Sequence, residues 1–178
     1  MTAGTSIRLI SVADAPVIAG HLGRDAADFA RWEPAQPDQY FTAPGQARRI
    51  ESLLAAHRRG ERWPWVILAG DAVVGQVTLS TIVQGAFRKG FLGYWVATTS
   101  QGQGHASRAV RQVVDVMRDE LGMHRAEAHT QLENLASQRV LRSSGFTPWG
   151  VAHAHIYVAG AWRDEVFWEL TLTDDPPG

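Results

Sequence analysis

The run "KGFLGYWVATTSQGQGHASRAV", residues 89–110, passes from aromatic and β-branched residues through two glycines directly into helical spacing. After Gly104, the residues Ala106, Ala109, Val110, Val113, Val114, Met117 and Leu121 recur at intervals of three and four. That period predicts an amphipathic helix stopping at Gly122. A strand that turns at once into a helix leaves the first helical N–H groups open at the positive end of the dipole, and glycines let a ligand come close to the backbone. Such a corner suits a phosphate. It is no Walker loop, because His105 and Ala106 follow Gly104 where Lys and Ser or Thr are needed. It also fits a dinucleotide fingerprint poorly: Ser107 is a weak third small residue, and a long antiparallel stretch precedes the corner.

The remaining segments arrange around this corner. "SIRLISV" alternates as a strand and "ADAPVIAGHLG" reads as a short helix ending at Gly23. "RWEPAQPDQYFTAPG" carries three prolines and three aromatic residues, which breaks regular structure and reads as a loop over a cleft. A basic helix, "ARRIESLLAAHRRGER", keeps Ile50, Leu53 and Leu54 on one face. "WPWVILAGDAVVGQVTLSTIV" reads as two strands turning at Gly70-Asp71, and with "KGFLGYWVAT" it makes an antiparallel meander. "HRAEAHT" alternates as a strand, "NLASQRVLRSSG" is a helix ended by Gly145, and two closing strands meet at Gly160. A chain of 178 residues is sized for one domain over 1–178, with a frayed tail at 173–178.

Composition removes whole classes of function. With no Cys, disulfides, thiolate metal sites and a cysteine nucleophile are all excluded. The formal net charge of -1 argues against a nucleic-acid groove, and the arginines of the basic helix read as a solvated face. No apolar run suits a membrane span and the N-terminus does not resemble a signal peptide, so a cytoplasmic protein without membrane contact is expected. His153 and His155 are expected to share a strand face, but no third ligand is signalled and no metal is expected.

Gln101, Gly102, Gln103, Gly104, His105 and Ala106 fit Gln/Arg-x-x-Gly-x-Gly/Ala, which resembles the acetyl-CoA loop of the GCN5-related N-acetyltransferases (GNAT). "ENLASQRVLRSSGF" is similar to the Asn-x-x-Ser-x-x-x-Leu-x-x-x-Gly-Phe signature of the RimJ/RimL-like branch that acetylates protein N-termini, with Asn134, Ser137, Leu141, Gly145 and Phe146 matching. "GYWV" and "GAWRDEVFWEL" extend the likeness over about Val73–Leu172. The resemblance implies an α/β fold with a mixed, mainly antiparallel central sheet flanked by helices, acetyl-CoA as cosubstrate without a metal, and a protein N-terminus or a small amine as acceptor, in a monomer or homodimer. A catalytically weak CoA-binding sensor is the alternative in kind.

The resemblance also implies roles. Residues 101–106 would take the CoA pyrophosphate, and the N–H of Val96 would meet the thioester carbonyl. Asn134 would bond the pantetheine amides, or else cap its helix. Ser137, one turn on, would act at the sulfur, or else be an ordinary helix-face serine. Many relatives carry a glutamate one or two residues before the Gly-Tyr of the central strand, where this chain has Phe91 and Leu92. Glu33 is the first candidate to replace that acid, since a carboxylate among Trp32 and prolines can have a raised pKa and attract a cationic amine. His129, His153 and His155 are rivals. Trp32, Glu33 and Tyr40, with Trp149, Trp162 and Asp164 from the late strands, are expected to line the acceptor cleft.

Overall fold

The computed structural model describes residues 4–176, so the first three residues and the last two of the expected tail lie outside the described part. In chain order the elements are β1 (Thr5–Leu9), α1 (Ala15–Arg24), α2 (Ala26–Phe29), α3 (Ala43–Arg58), β2 (Trp63–Ala69), β3 (Ala72–Val83) and β4 (Lys89–Val96), followed by α4 (His105–Asp119), β5 (Arg125–Gln131), α5 (Leu135–Ser143), β6 (Thr147–Val158) and β7 (Ala161–Thr171). Seven strands form one sheet in the order β1-β2-β3-β4-β5-β7-β6. Every neighbouring pair is antiparallel except β4 and β5. Among the described residues no helix is long and apolar enough to cross a membrane.

The expected proline-rich loop is shorter than its composition suggests. Thr42 caps α3 by accepting from the N–H of Gly45, and Pro44 lies in the helix's first turn. Proline there costs no hydrogen bond, because that N–H has no helical partner in any case.

Alternation along the strands divides the core between two faces. On one, Ala109, Val110, Val113, Val114 and Met117 of α4 pack with Leu92, Val96, Ala126, Ala128 and Trp168. On the other, Ile18 and Leu22 of α1 and Ile50 of α3 pack with Val66 and Val73, and Trp95 lies against this cluster. Burying one such aliphatic side chain contributes roughly 1.5–3 kcal/mol, so the α4 stripe alone anchors the helix and fixes where its N-terminus stands. Trp168 is fully buried and donates its indole N–H to Thr130 Oγ1 at 3.1 Å.

Two irregularities shape the functional region. The parallel pairing of β4 and β5 covers only Lys89–Phe91 against Arg125–Glu127, after which the strands diverge. Further along β6, Ala152 pairs with Glu165 and Ile156 with Arg163, so β6 takes four steps where β7 takes two. Ala154, at φ 49°, turns this bulge. The extra residues send His153 to Asp164 and His155 to Glu165, which are consecutive on β7 and point to opposite faces. The shared histidine face expected from a regular strand therefore does not form.

Candidate active site

The glycine corner is tied to the body of the protein at both ends. Thr98 donates its N–H and hydroxyl to the buried Asp25 carboxylate, both at 2.8 Å. Arg24 donates to the same group, and its hydrogen bonds, joined by those of Thr98, hold the Asp25 pKa down to about 2 against the opposing effect of burial. Gln101 Nε2 donates to the Val96 carbonyl at 3.0 Å. Gly102 and Gly104 adopt φ of 73° and 79°, a region that favours glycine. A Cβ at Gly104 would lie 2.9 Å from Arg108 Nη1. Arg108 itself donates to the Gln103 carbonyl and to Thr5 Oγ1.

Residues 101–104 are exposed and α4 has no side-chain cap, so its first N–H groups remain open. His105 offers only backbone here. Its buried ring is hydrogen-bonded through Nδ1 to the Thr5 hydroxyl, and burial, reinforced by Arg108, pushes its pKa down.

On the same face of the sheet, Asn134 Oδ1 accepts the N–H of Ser137 at 3.1 Å and caps α5, which leaves the Nδ2 end for a ligand. Ser137 Oγ is 2.8 Å from the Tyr94 hydroxyl, which also donates to the Ser137 carbonyl. Burial pushes the Tyr94 phenol up, so it stays protonated. Sequence reasoning assigned Tyr94 no part, although "GYWV" contained it.

The opening between β4 and β5 joins this face to the other. Ala97 donates to the Val74 carbonyl, continuing the ladder to β3. By the alternation of an antiparallel pair, the N–H groups of Tyr94 and Val96 then point away from β3 into the opening.

Across the opening, on the face of α1 and α3, Gly93 is exposed and a Cβ there would meet nothing within 4 Å. Its same-face neighbours are covered: Phe91 by His129 and Phe167, Trp95 by Phe29 and His21. His129 Nδ1 lies 2.9 Å from Glu165 Oε1, and His155 Nδ1 lies 2.6 Å from Glu165 Oε2. Burial raises the Glu165 pKa, but the hydrogen bonds to the two imidazoles outweigh it and leave the carboxyl below its ordinary value. The separate histidines were visible in the sequence. Their common carboxylate was not, because it depends on the β6 bulge and the β5–β7 register.

The early loop reaches this face through Gln131, whose Nε2 donates to the Trp32 carbonyl at 3.1 Å. Glu33 and Tyr40 line a small cavity of about 50 Å³ with Leu22, Phe29 and Phe41. Burial raises the Glu33 pKa, and Arg49 partly opposes it. The structure thus brings Trp32, Glu33 and Tyr40 to one region and leaves Asp164 elsewhere. Asp164 points to the face opposite Glu165, where it accepts from the Ala154 N–H and pairs with His153; these two contacts hold its carboxyl low. Trp149 packs on Phe167 beside the histidines, whereas Trp162 stands at the hairpin tip against Tyr157, 63% exposed. Among the described residues, no group of three His, Cys, Asp or Glu is arranged to hold a metal.

Comparison with known proteins gives a consistent likeness. The family model described as an acetyltransferase (GNAT) domain matches residues 6–147. The probable N-acetyltransferase YjcK of Bacillus subtilis is 32% identical over 171 residues, covering 95% of this chain and 94% of the relative. The solved ribosomal-protein-S5-alanine acetyltransferase from Vibrio fischeri superposes with a TM-score of 0.92 at 30% identity, over 97% of this chain and 96% of that one. RimJ of Mycobacterium smegmatis, solved in complex with CoA-disulfide, gives 0.91 at 28% identity, over 96% and 87%.

Proposed function

The chain belongs to the GNAT family of N-acetyltransferases, and we propose that it moves the acetyl group of acetyl-CoA to a primary amine, foremost the α-amine of a protein N-terminus, by direct attack in a ternary complex. The observation that carries this is the opening between β4 and β5, with the uncapped glycine corner on one face and the exposed Gly93 on the other. A thioester reaching the opening from the first face can meet an amine entering from the second. The backbone of Gln101–Ala106, with Arg108 beside it, suits the pyrophosphate. Asn134 Nδ2 suits a pantetheine carbonyl, and the Val96 N–H suits the developing oxyanion. The Ser137–Tyr94 hydroxyl pair can pass a proton to the departing thiolate. Trp32, Glu33 and Tyr40 form the acceptor wall, where the carboxylate attracts a protonated amine.

Replacing Ser137 with Ala is expected to lower turnover about tenfold to a hundredfold while leaving acetyl-CoA affinity unchanged, because the hydroxyl acts as the C–S bond breaks. Single-turnover kinetics with calorimetry checks this; wild-type turnover would remove Ser137 from the chemistry.

The S5-alanine name of one relative supports an N-terminal acceptor, because an alanine in a protein has a free amine only at the N-terminus. So does acidity: an α-amine near pKa 8 is easier to deprotonate than a lysine above 10. The test is mass spectrometry of a peptide with an N-terminal alanine and an internal lysine, incubated with acetyl-CoA and, in a second arm, with spermidine. Acetylation is expected on the α-amine. Acetyl groups mainly on lysine, or on spermidine alone, would overturn the N-terminal reading.

A further inference from the structure

The parallel register of Phe91 with Glu127 says what faces what where the strands have parted. Two residues further along each strand, Gly93 stands across the opening from His129, both on the α1 and α3 face. Gly93 is bare and exposed, so the space above it is free for an acceptor. His129 borders that space with Nδ1 engaged by Glu165 and, among the described residues, no partner on Nε2.

We propose that His129, its imidazole oriented by Glu165 across the strand opening from Gly93, is the base that takes the acceptor amine's proton. This rests on the acetyltransferase reading but not on which amine is accepted.

The geometry favours His129 over Glu33. A histidine with its Nδ1–H held by a carboxylate presents the lone pair of Nε2 outward and keeps one tautomer. Glu165 is 3% exposed and stays ionised, so it can also stabilise the imidazolium that forms. Phe91, Phe167 and Trp149 keep the surroundings apolar, which strengthens that pairing. Glu33 instead shares its cavity with Tyr40 under the influence of Arg49, on a loop that touches β5 through the Trp32 carbonyl.

In the reaction His129 Nε2 accepts a proton from the ammonium, and the freed lone pair forms the N–C bond at the thioester carbon. The C–S bond breaks with its electron pair going to sulfur. The thiolate takes a proton from the Ser137–Tyr94 pair, the second proton lost by the nitrogen makes good that pair's loss, and His129 releases the first to solvent, so one proton net leaves the site. His129 is the catalytic residue here and Glu165 a positioning residue. The charged or titratable groups facing His129 are Glu165 on β7 and His155 on β6. Glu127 follows on its own strand, paired with Lys89 of β4 and with Arg125, which also meets Glu169. Glu33 lies on the loop whose Trp32 carbonyl accepts from Gln131, two residues along β5 from His129.

The experiment compares His129→Gln and Glu165→Gln with wild type, using whichever amine wild type acetylates, and follows free thiol release from pH 6.5 to 9.5 alongside acetyl-CoA calorimetry and melting temperature. His129 is partly exposed, so its replacement leaves folding intact. At pH 7 the His129→Gln rate is expected to fall about a hundredfold with unchanged acetyl-CoA affinity, the lower end of what a general base contributes. As pH rises through the amine's own pKa the acceptor deprotonates in water, so the deficit must shrink. Glu165→Gln should show a smaller loss with the same trend. A His129→Gln rate within twofold of wild type, or a deficit that stays constant with pH, overturns the assignment. The N-terminal preference can fail independently, because it is read from which amine wild type accepts.

Discussion

Gly104→Glu abolishes acetyl-CoA binding in a protein that still folds: calorimetry with acetyl-CoA is expected to give no saturable heat, at least about a hundredfold loss of affinity. Three effects act together. Gly104 sits at φ 79°, where a side chain costs roughly 1–2 kcal/mol. A Cβ would press on Arg108 Nη1 at 2.9 Å and disturb the guanidinium that holds the Gln103 carbonyl and Thr5. The new carboxylate would then stand among the open N–H groups of α4, where it would satisfy the donors a phosphate needs and repel the phosphate itself, and like charges so juxtaposed cost several kcal/mol. Gly104→Ala separates these effects, since it keeps the strain but adds no charge and should lose far less. A folded Gly104→Glu protein with wild-type affinity would remove residues 101–106 from the cosubstrate site.

The parts of this site legible in the sequence are those encoded by neighbours along the chain. The glycine corner, the α4 stripe and the Asn134–Ser137 spacing are patterns whose successive members lie no more than four residues apart, and the structure keeps them as elements in the expected order. Strand order was legible as far as hairpins could carry it. What escaped is set by register between distant segments. Asp25 reaches Thr98 over a separation of 73 residues, and Glu165 reaches His129 over 36; neither has a local signature. The β6 bulge was invisible for a related reason: alternation in "VAHAHIYV" presumes a regular strand, and the left-handed turn at Ala154 uses a residue that does not advertise it. Asp164 was legible as an acidic residue expected to line the acceptor cleft, yet alternation on β7 turns it from the acceptor face by a single step.

Gly93→Leu should stop transfer to a peptide while leaving the cosubstrate site alone. A glycine inside a central strand is normally a loss of about 0.5–1 kcal/mol relative to alanine, so an ordinary strand backbone at Gly93 invites a side chain. The space for one exists, since a Cβ would meet nothing within 4 Å. Folding therefore gains slightly or is unaffected by Leu, and the melting temperature should not fall. What changes is the floor of the opening between Phe91 and Trp95, where the isobutyl group takes the place of the incoming amine. Misplacement of a reacting atom by about 1 Å is enough for a loss near a hundredfold, and full occlusion should exceed it, so kcat/KM for the alanine peptide should drop beyond detection. Acetyl-CoA affinity should stay at wild type because residues 101–106 and Asn134 approach from the opposite face. Gly93→Ala should fall between, and the ratio of the two losses measures how much room the acceptor needs. Wild-type kcat/KM in a folded Gly93→Leu protein would mean that the amine reaches the thioester by another route, and would move the acceptor site off this face of β4.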